Sequence, residues 1–256
     1  MISSQILIVC LFYISSHILR IIRLGILTIH ESQYRSKIIL AQASTSLLTL
    51  FFPFKLGEIV RVYSFVQICK DNKSGIVIWA IDRIPDVFFI SSYIVLLYII
   101  NARPSGNFHA FLIILLFLSD IILCLLLLTF FLSDYLTRRL VLTSLSKRSH
   151  EILKHVNKIN SLKRNVTYKV SGRVTPLLII TLLIWLCELC SMKAFAGFSR
   201  LSFTDLSSLL SDVFVGSFFT KYRSYWDIQF FCLLVLNAMV YTGYFIFSGK
   251  HFNLKQ

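Results

Sequence analysis

Charged residues are scarce in this chain. They make up 15% of its 256 residues, whereas a water-soluble domain carries about 25%. The hydrophobic share is 56%, and the apolar residues come in long runs rather than in alternation with polar ones. A single soluble core of this size could not bury so many leucines, isoleucines and phenylalanines. These properties exclude a water-soluble enzyme, a disulfide-rich secreted domain and a disordered tail.

Acidic residues are the rarer of the two charge types. The chain has 12 Asp and Glu against 26 Lys and Arg, a formal net charge of +14. In a membrane protein such an excess is typical of cytoplasmic loops that face anionic lipid. No nucleic-acid-binding module accompanies the charge, so we expect no nucleic-acid partner.

Motifs of cofactor or hydrolytic chemistry are missing. The sequence has no G-x-G-x-x-G, P-loop, H-E-x-x-H or G-x-S-x-G pattern. The six cysteines lie mostly in apolar runs, where cysteine packs as a small hydrophobe. Cys187 and Cys190 have C-x-x-C spacing, but no further ligands stand near them. We therefore expect neither a cofactor nor a metal site, and no enzyme.

The apolar runs predict an all-α fold. We expect a polytopic transmembrane helical bundle with about six to seven hydrophobic segments, forming one membrane domain over residues 1–256. One or two of these segments are expected to be re-entrant broken helices. The segments lie at 6–27, 38–54, 76–100, 108–132, 177–195, 203–219 and 226–247.

The polar stretch 133–173 sets the predicted orientation. It contains ten Lys or Arg residues and two acidic ones, so the positive-inside rule places it in the cytoplasm, beside the cell inner (plasma) membrane. Within it, apolar residues recur at helical spacing among lysines and arginines. This pattern predicts a basic amphipathic helix that lies on an anionic leaflet.

Segment 38–69 differs from a simple span. Its two flanks are both basic and therefore predicted to be cytoplasmic, and Pro53 and Gly57 interrupt it. We expect it to enter and leave the membrane as two half-helices. Broken backbone is tolerated at membrane depth only where protein or a water-filled cavity covers it, and in transporters it builds substrate sites.

Ionisable residues cluster close to this predicted break. Glu58 and Arg61 are three residues apart, Asp82 and Asp86 are four apart, and each pair shares a helix face, with Arg83 next to Asp82. Two compatible interpretations stay open: the charges neutralise one another and hold the helices together, or they line a polar cleft for a lipid headgroup. Two further intramembrane acids have no visible partner and are weaker candidates: Asp120 and Glu188.

The residues around the break resemble the lysylphosphatidylglycerol synthase transmembrane (flippase-like) family. That family has a broken helix with the pattern P-x-x-x-G-E-x-x-R, followed by E-R-x-x-D. The matching residues are Pro53, Gly57, Glu58 and Arg61 for the first pattern, and Asp82 (in place of Glu), Arg83 and Asp86 for the second. Two further stretches are similar to family patterns: His17 to Arg23, and Trp185 with Glu188.

The resemblance implies a lipid flippase or translocase for an anionic or glycosylated lipid. The chain would be a short, divergent member that lacks the aminoacyl-transferase domain and the family's later Pro-Gly-Gly signature. Its implied partners are membrane lipids and a separate transferase or envelope-assembly protein. In the expected mechanism Arg61 and Arg83 hold the headgroup phosphate, and Glu58, Asp82 and Asp86 orient them. Two alternatives remain, an integral membrane glycosyltransferase-type enzyme and a non-transporting accessory subunit.

Overall fold

The computed structural model describes residues 2–51, 57–69, 72–99, 147–198 and 223–252, together with 128, 132, 133, 135 and 137–139. Within this part the chain is helical and has no strand, as predicted. Seven helices have defined bounds: α1 (Ile2–Leu27), α2 (Ser32–Phe51), α3 (Gly57–Ile68), α4 (Asn72–Ile99), α5 (Lys147–Val170), α6 (Val174–Phe198) and α7 (Arg223–Phe252).

Three of these helices are long and apolar enough to cross a membrane. The qualifying stretches are Gln5–Leu27 in α1, Val174–Phe195 in α6 and Ser224–Ile246 in α7. They coincide with three predicted spans, which is consistent with a membrane protein. The predicted spans 108–132 and 203–219 fall almost entirely outside the described residues. The count of six to seven segments therefore stays a prediction.

The chain divides into two compact units. One comprises Met1–Ser105 with Arg173–Gln256, and the other comprises Gly106–Gly172. The first unit contains α1 to α4, α6 and α7. The second contains α5, whose Asn160 side chain lies 3.0 Å from Ser133 Oγ and 3.1 Å from Thr137 Oγ1. That amide ties α5 to the segment before it within the same unit.

The first unit buries polar and charged side chains together with apolar ones, and exposes many large apolar side chains. On α6 the buried positions include Thr181, Glu188 and Ser191, whereas Leu178 and Leu182 are about half exposed. The inward face of α6 combines these polar residues with apolar ones such as Ile184 and Met192, and the outward face is apolar. Soluble helices put their apolar face inward. An apolar exterior around a polar interior suits a lipid environment.

Helices α1 and α6 pack against each other in antiparallel register. Ser191 Oγ donates to the Val9 carbonyl at 3.3 Å, and Arg173 Nη1 donates to the Ile26 carbonyl at 3.1 Å. These two contacts link opposite ends of the pair. The residue numbers in each contact sum to about 200, and this constant sum is the signature of antiparallel neighbours. The register brings the middle of α6 beside the middle of α1.

Helices α2, α3 and α4 form two successive antiparallel pairs that meet at glycines. A Cβ built on Gly57 would lie 2.5 Å from the Thr49 backbone nitrogen, and one built on Gly75 would lie 2.6 Å from the Phe65 carbonyl oxygen. No other residue fits either close approach. The chain reverses direction between Phe51 and Gly57, an interval that contains Pro53 and lies outside the described residues.

Candidate functional site

Three buried charged side chains form a cluster between α1, α4 and α6. Arg23 donates through Nε to Asp82 Oδ1 at 2.9 Å, and through Nη1 and Nη2 to the two oxygens of Asp86 at 2.7 and 2.9 Å. Thr181 and Trp185 complete it by contacts with Arg23 and Asp86. The side chains of Arg23 and Asp82 are each 1% exposed. We call Arg23, Asp82 and Asp86 the inner ion cluster.

Arg83 joins this cluster to α3. Its nitrogens lie 3.4 Å from Asp82 Oδ2, 3.2 Å from Asp86 Oδ2 and 3.2 Å from Glu58 Oε2. Glu58 also accepts a hydrogen bond from Trp79 Nε1 at 3.2 Å. The guanidinium is thus shared among three carboxylates from two helices. The Arg83 side chain is 16% exposed, which is more than any side chain of the inner ion cluster.

Arg61 connects the two helices on either side of the break. Its Nε donates to Thr45 Oγ1 at 2.9 Å and its Nη2 to Ser46 Oγ at 3.4 Å, both on α2. Its Nη1 pairs with Glu58 on α3 itself. Every nitrogen of this buried guanidinium therefore has a partner. Arg61 holds α2 and α3 together and fixes the position of Glu58.

Glu188 has partners, contrary to the expectation of a single unpaired charge. It accepts hydrogen bonds from Ser16 Oγ at 2.9 Å and from Arg20 Nη2 at 3.1 Å. The pairing of Arg20 with Glu188 could not be predicted from spacing, because the two residues are 168 apart in the sequence. Arg20 and Arg23 both pair with acidic side chains of other helices. The signal available in the sequence was their spacing of three within an apolar helix.

A cavity of about 110 Å³ lies beside these residues. Its charged lining consists of Arg20, Glu58, Arg61, Arg83 and Glu188, which we call the cavity-lining charges. Its other lining residues include Tyr13, His17, Thr49, Trp185, Trp226 and Gln229. The cavity is large enough for several water molecules, since one water molecule needs about 10–15 Å³ of such space.

The cavity-lining charges carry an excess of positive charge. Three arginines face two glutamates, whereas the inner ion cluster has one arginine and two aspartates. Arg20 Nε makes no hydrogen bond, and Arg83 Nε and Nη2 lie 3.2 and 3.4 Å from carboxylate oxygens without hydrogen-bond geometry. Unsatisfied donors next to an excess positive charge favour an anionic, oxygen-bearing ligand.

The structure brings all five predicted ionisable site residues into one network. Glu58, Arg61 and Arg83 line the cavity, whereas Asp82 and Asp86 lie behind it against Arg23. Gly57 begins α3 in close contact with α2. Asp120 and Pro53 lie outside the described residues. Sequence analysis did not give Arg20, Arg23 or the hydroxyls of α2 a place in this network.

Within the described residues no group of three or more His, Cys, Asp or Glu side chains could hold a metal ion. The five cysteines in that part of the chain are free thiols. Cys69 and Cys232 are buried in separate apolar clusters, the first with Leu24 and Phe65 and the second with Tyr13 and Leu233. These two thiols pack as small hydrophobes.

Comparison with protein families, with curated proteins and with solved structures finds no match to this chain.

Proposed function

We propose that this chain is a multi-pass membrane protein that handles the polar headgroup of an anionic or glycosylated lipid in the cavity between its helices. The observation that carries the proposal is the cavity beside Arg20 and Arg83, where three guanidinium nitrogens lack a complete hydrogen bond and the lining charges are mostly positive. A phosphate oxygen would complete the missing hydrogen bonds. The function is that of a flippase-like translocase, and the site is in a plasma membrane.

The arrangement of α2 and α3 supports this proposal. Two antiparallel helices meet at Gly57, and polar side chains line their inner side. We infer that they form a re-entrant pair whose reversal lies at membrane depth. Such backbone requires a protein or water-filled surrounding, and the cavity beside Glu58 and Arg61 supplies one.

Each charged residue has a separate role in this proposal. Arg20 and Arg83 bind the anionic oxygens of the headgroup, and Glu58 and Glu188 orient the two guanidiniums and accept hydrogen bonds from headgroup amines or hydroxyls. Arg61 positions Glu58. The inner ion cluster neutralises buried charge behind the cavity and holds α1, α4 and α6 at fixed spacing.

Leaflet-specific lipid movement in proteoliposomes tests the function. We expect the purified chain to move an anionic phospholipid faster than protein-free liposomes do. Arg20→Gln should slow this movement about tenfold or more, because a charge-assisted hydrogen bond contributes about 1.5–3 kcal/mol. Lys37→Gln removes an exposed charge outside the cavity and serves as the matched control. Movement by a folded Arg20→Gln protein at the wild-type rate would contradict the assigned site.

One observation favours the accessory subunit as a second candidate. The four arginines and four acids of the site form ion pairs with one another. A network of this kind can hold the helices together without binding any ligand. The same assay separates the two functions. A well-folded wild-type protein that moves no anionic, zwitterionic or glycosylated lipid would favour the accessory role.

A further inference from the structure

Helix α5 concentrates the positive charge of the chain. Its 24 residues contain seven Lys or Arg residues and one acid, Glu151. This formal charge of +6 is a large part of the +14 of the whole chain. An anionic surface is the partner that such a helix attracts.

The exposed side of α5 is basic. Lys154, Lys158 and Arg164 are exposed, and Tyr168 is 60% exposed. Lys154, Lys158 and Tyr168 share one face, since they are separated by four and ten residues along a helix of 3.6 residues per turn. The face therefore presents two ammonium groups and, close to the C-terminal end of α5, an aromatic ring.

The apolar side of α5 is partly buried. Of the described residues that mark its predicted apolar face, Val156 is 3% exposed and Ile159 is half-buried, whereas Ile152 is exposed. The basic face is the more continuous exposed surface. The sequence predicted an amphipathic helix that lies on a leaflet. The burial of side chains favours contact through the basic face of α5 over contact through its apolar face.

The chain connection places one end of α5 close to a membrane surface. Val170 ends the helix, and the apolar stretch of α6 begins at Val174. Four residue steps span at most about 14 Å. Gly172 in this connection has a φ of 72°, which ends α5 and allows α6 a new direction. The short connection therefore limits how far the C-terminal end of α5 can lie from the first residue of α6.

We propose that the basic face of α5 binds the anionic headgroups of the leaflet at which α6 begins, by electrostatic attraction and without insertion of its apolar side. Charge complementarity selects this partner, because the exposed groups on this face are ammonium and guanidinium ions. The binding does not depend on lipid transport. It holds the second unit to the membrane surface and makes the contact sensitive to lipid charge and to salt.

Hydrogen exchange of the full chain in lipid nanodiscs tests this proposal. The probe is the peptide 147–170, compared between discs of zwitterionic lipid and discs that contain anionic phospholipid. We expect slower amide exchange in the anionic discs at about 0.1 M salt, and loss of the difference at 1 M salt, where the Debye length falls to about 3 Å.

Variants of α5 locate the contact. Lys154→Gln with Lys158→Gln should lower the ratio of bound to free helix roughly 30-fold, since each basic residue near an anionic surface contributes about 1 kcal/mol. Glutamine preserves helix propensity, so α5 should still fold. Lys163→Gln is the matched control, because Lys163 is half-buried on the other side of the helix. It should leave the exchange difference unchanged.

Three results would overturn the proposal. Equal exchange in both kinds of disc would show that lipid charge does not matter. Protection that persists in zwitterionic discs and at 1 M salt would show insertion of apolar side chains instead. Protection that appears only when a protein or a nucleic acid is added would assign the basic face to that partner.

Discussion

Arg23 shows most clearly how one side chain organises the interior. It joins α1 to two aspartates of α4 and to Thr181 of α6, and it is almost fully buried. A buried ion pair is weak evidence for net stability, since desolvation costs several kcal/mol for each ion. Removal of one partner is different, because it leaves the other charges buried and uncompensated.

Arg23→Ala should therefore destabilise the protein strongly. It leaves Asp82 and Asp86 with only Arg83 as a shared cation, and loss of a partner from a buried pair costs about 3–5 kcal/mol. Arg23→Lys should recover part of this loss, because it restores the charge but not the forked contact with Asp86. The free energy of unfolding in mixed micelles measures both.

An exposed residue provides the control for Arg23. Lys37→Ala removes one positive charge from the surface of α2, and such substitutions usually change stability by less than about 0.5 kcal/mol. If Arg23→Ala changed the free energy of unfolding no more than Lys37→Ala does, the inner ion cluster would have no structural role.

Residue pairs within one helix were predictable, and pairs between helices were not. Glu58 with Arg61 and Asp82 with Asp86 follow from spacings of three and four residues. The partners of Arg23 lie 59 and 63 residues away, and the partner of Arg20 lies 168 residues away. Spacing carries no information on contacts at such separations. These contacts depend on helix packing, which a single sequence does not specify.

At the scale of elements, the packing of α2 on α3 depends on one glycine. Gly57 faces the backbone of Leu48 and Thr49 at distances no side chain could tolerate. Arg61 adds polar contacts to the same pair. The geometry of the cavity depends on this packing, because Glu58 and Arg61 are both on α3.

Gly57→Ala should push α2 and α3 apart. The added methyl group meets backbone atoms, which cannot rotate away, and overpacking of this kind costs about 1–3 kcal/mol. Gly243→Ala on α7 is the matched control: nothing lies within 4 Å of its Cβ position, and alanine favours a helix over glycine by about 1 kcal/mol. Thermal unfolding should give opposite signs for the two variants. Equal shifts would contradict the close packing at Gly57.

The sequence predicted which stretches form helices better than it predicted which helices pack against each other. The break near Gly57 was predicted from Pro53 and Gly57 together with the basic flanks, and α2 and α3 lie on either side of it. The helical character of α5 followed from its apolar spacing. The close approach at Gly75 was not predicted, because a lone glycine in an apolar helix does not reveal what packs against it.

At the scale of the whole molecule, the described part of the first unit exposes large apolar side chains and buries its ion pairs. Phe245 on α7 and Leu7 on α1 are about two-thirds exposed, whereas Arg61 and Asp82 are almost completely buried. In lipid this distribution hides each ionised group from the acyl chains. In this interior a polar headgroup could leave water without losing its hydrogen bonds.

The most direct test of this account is the binding of a headgroup to the cavity. Short-chain anionic phospholipids, added to the purified protein in uncharged detergent, should raise the free energy of unfolding by about 2.7 kcal/mol at a concentration of 100 Kd. Arg83→Gln should abolish most of this increase, and Lys37→Gln should leave it unchanged. An equal increase in Arg83→Gln, or no increase in the folded wild-type protein, would contradict a headgroup site between Arg20 and Arg83.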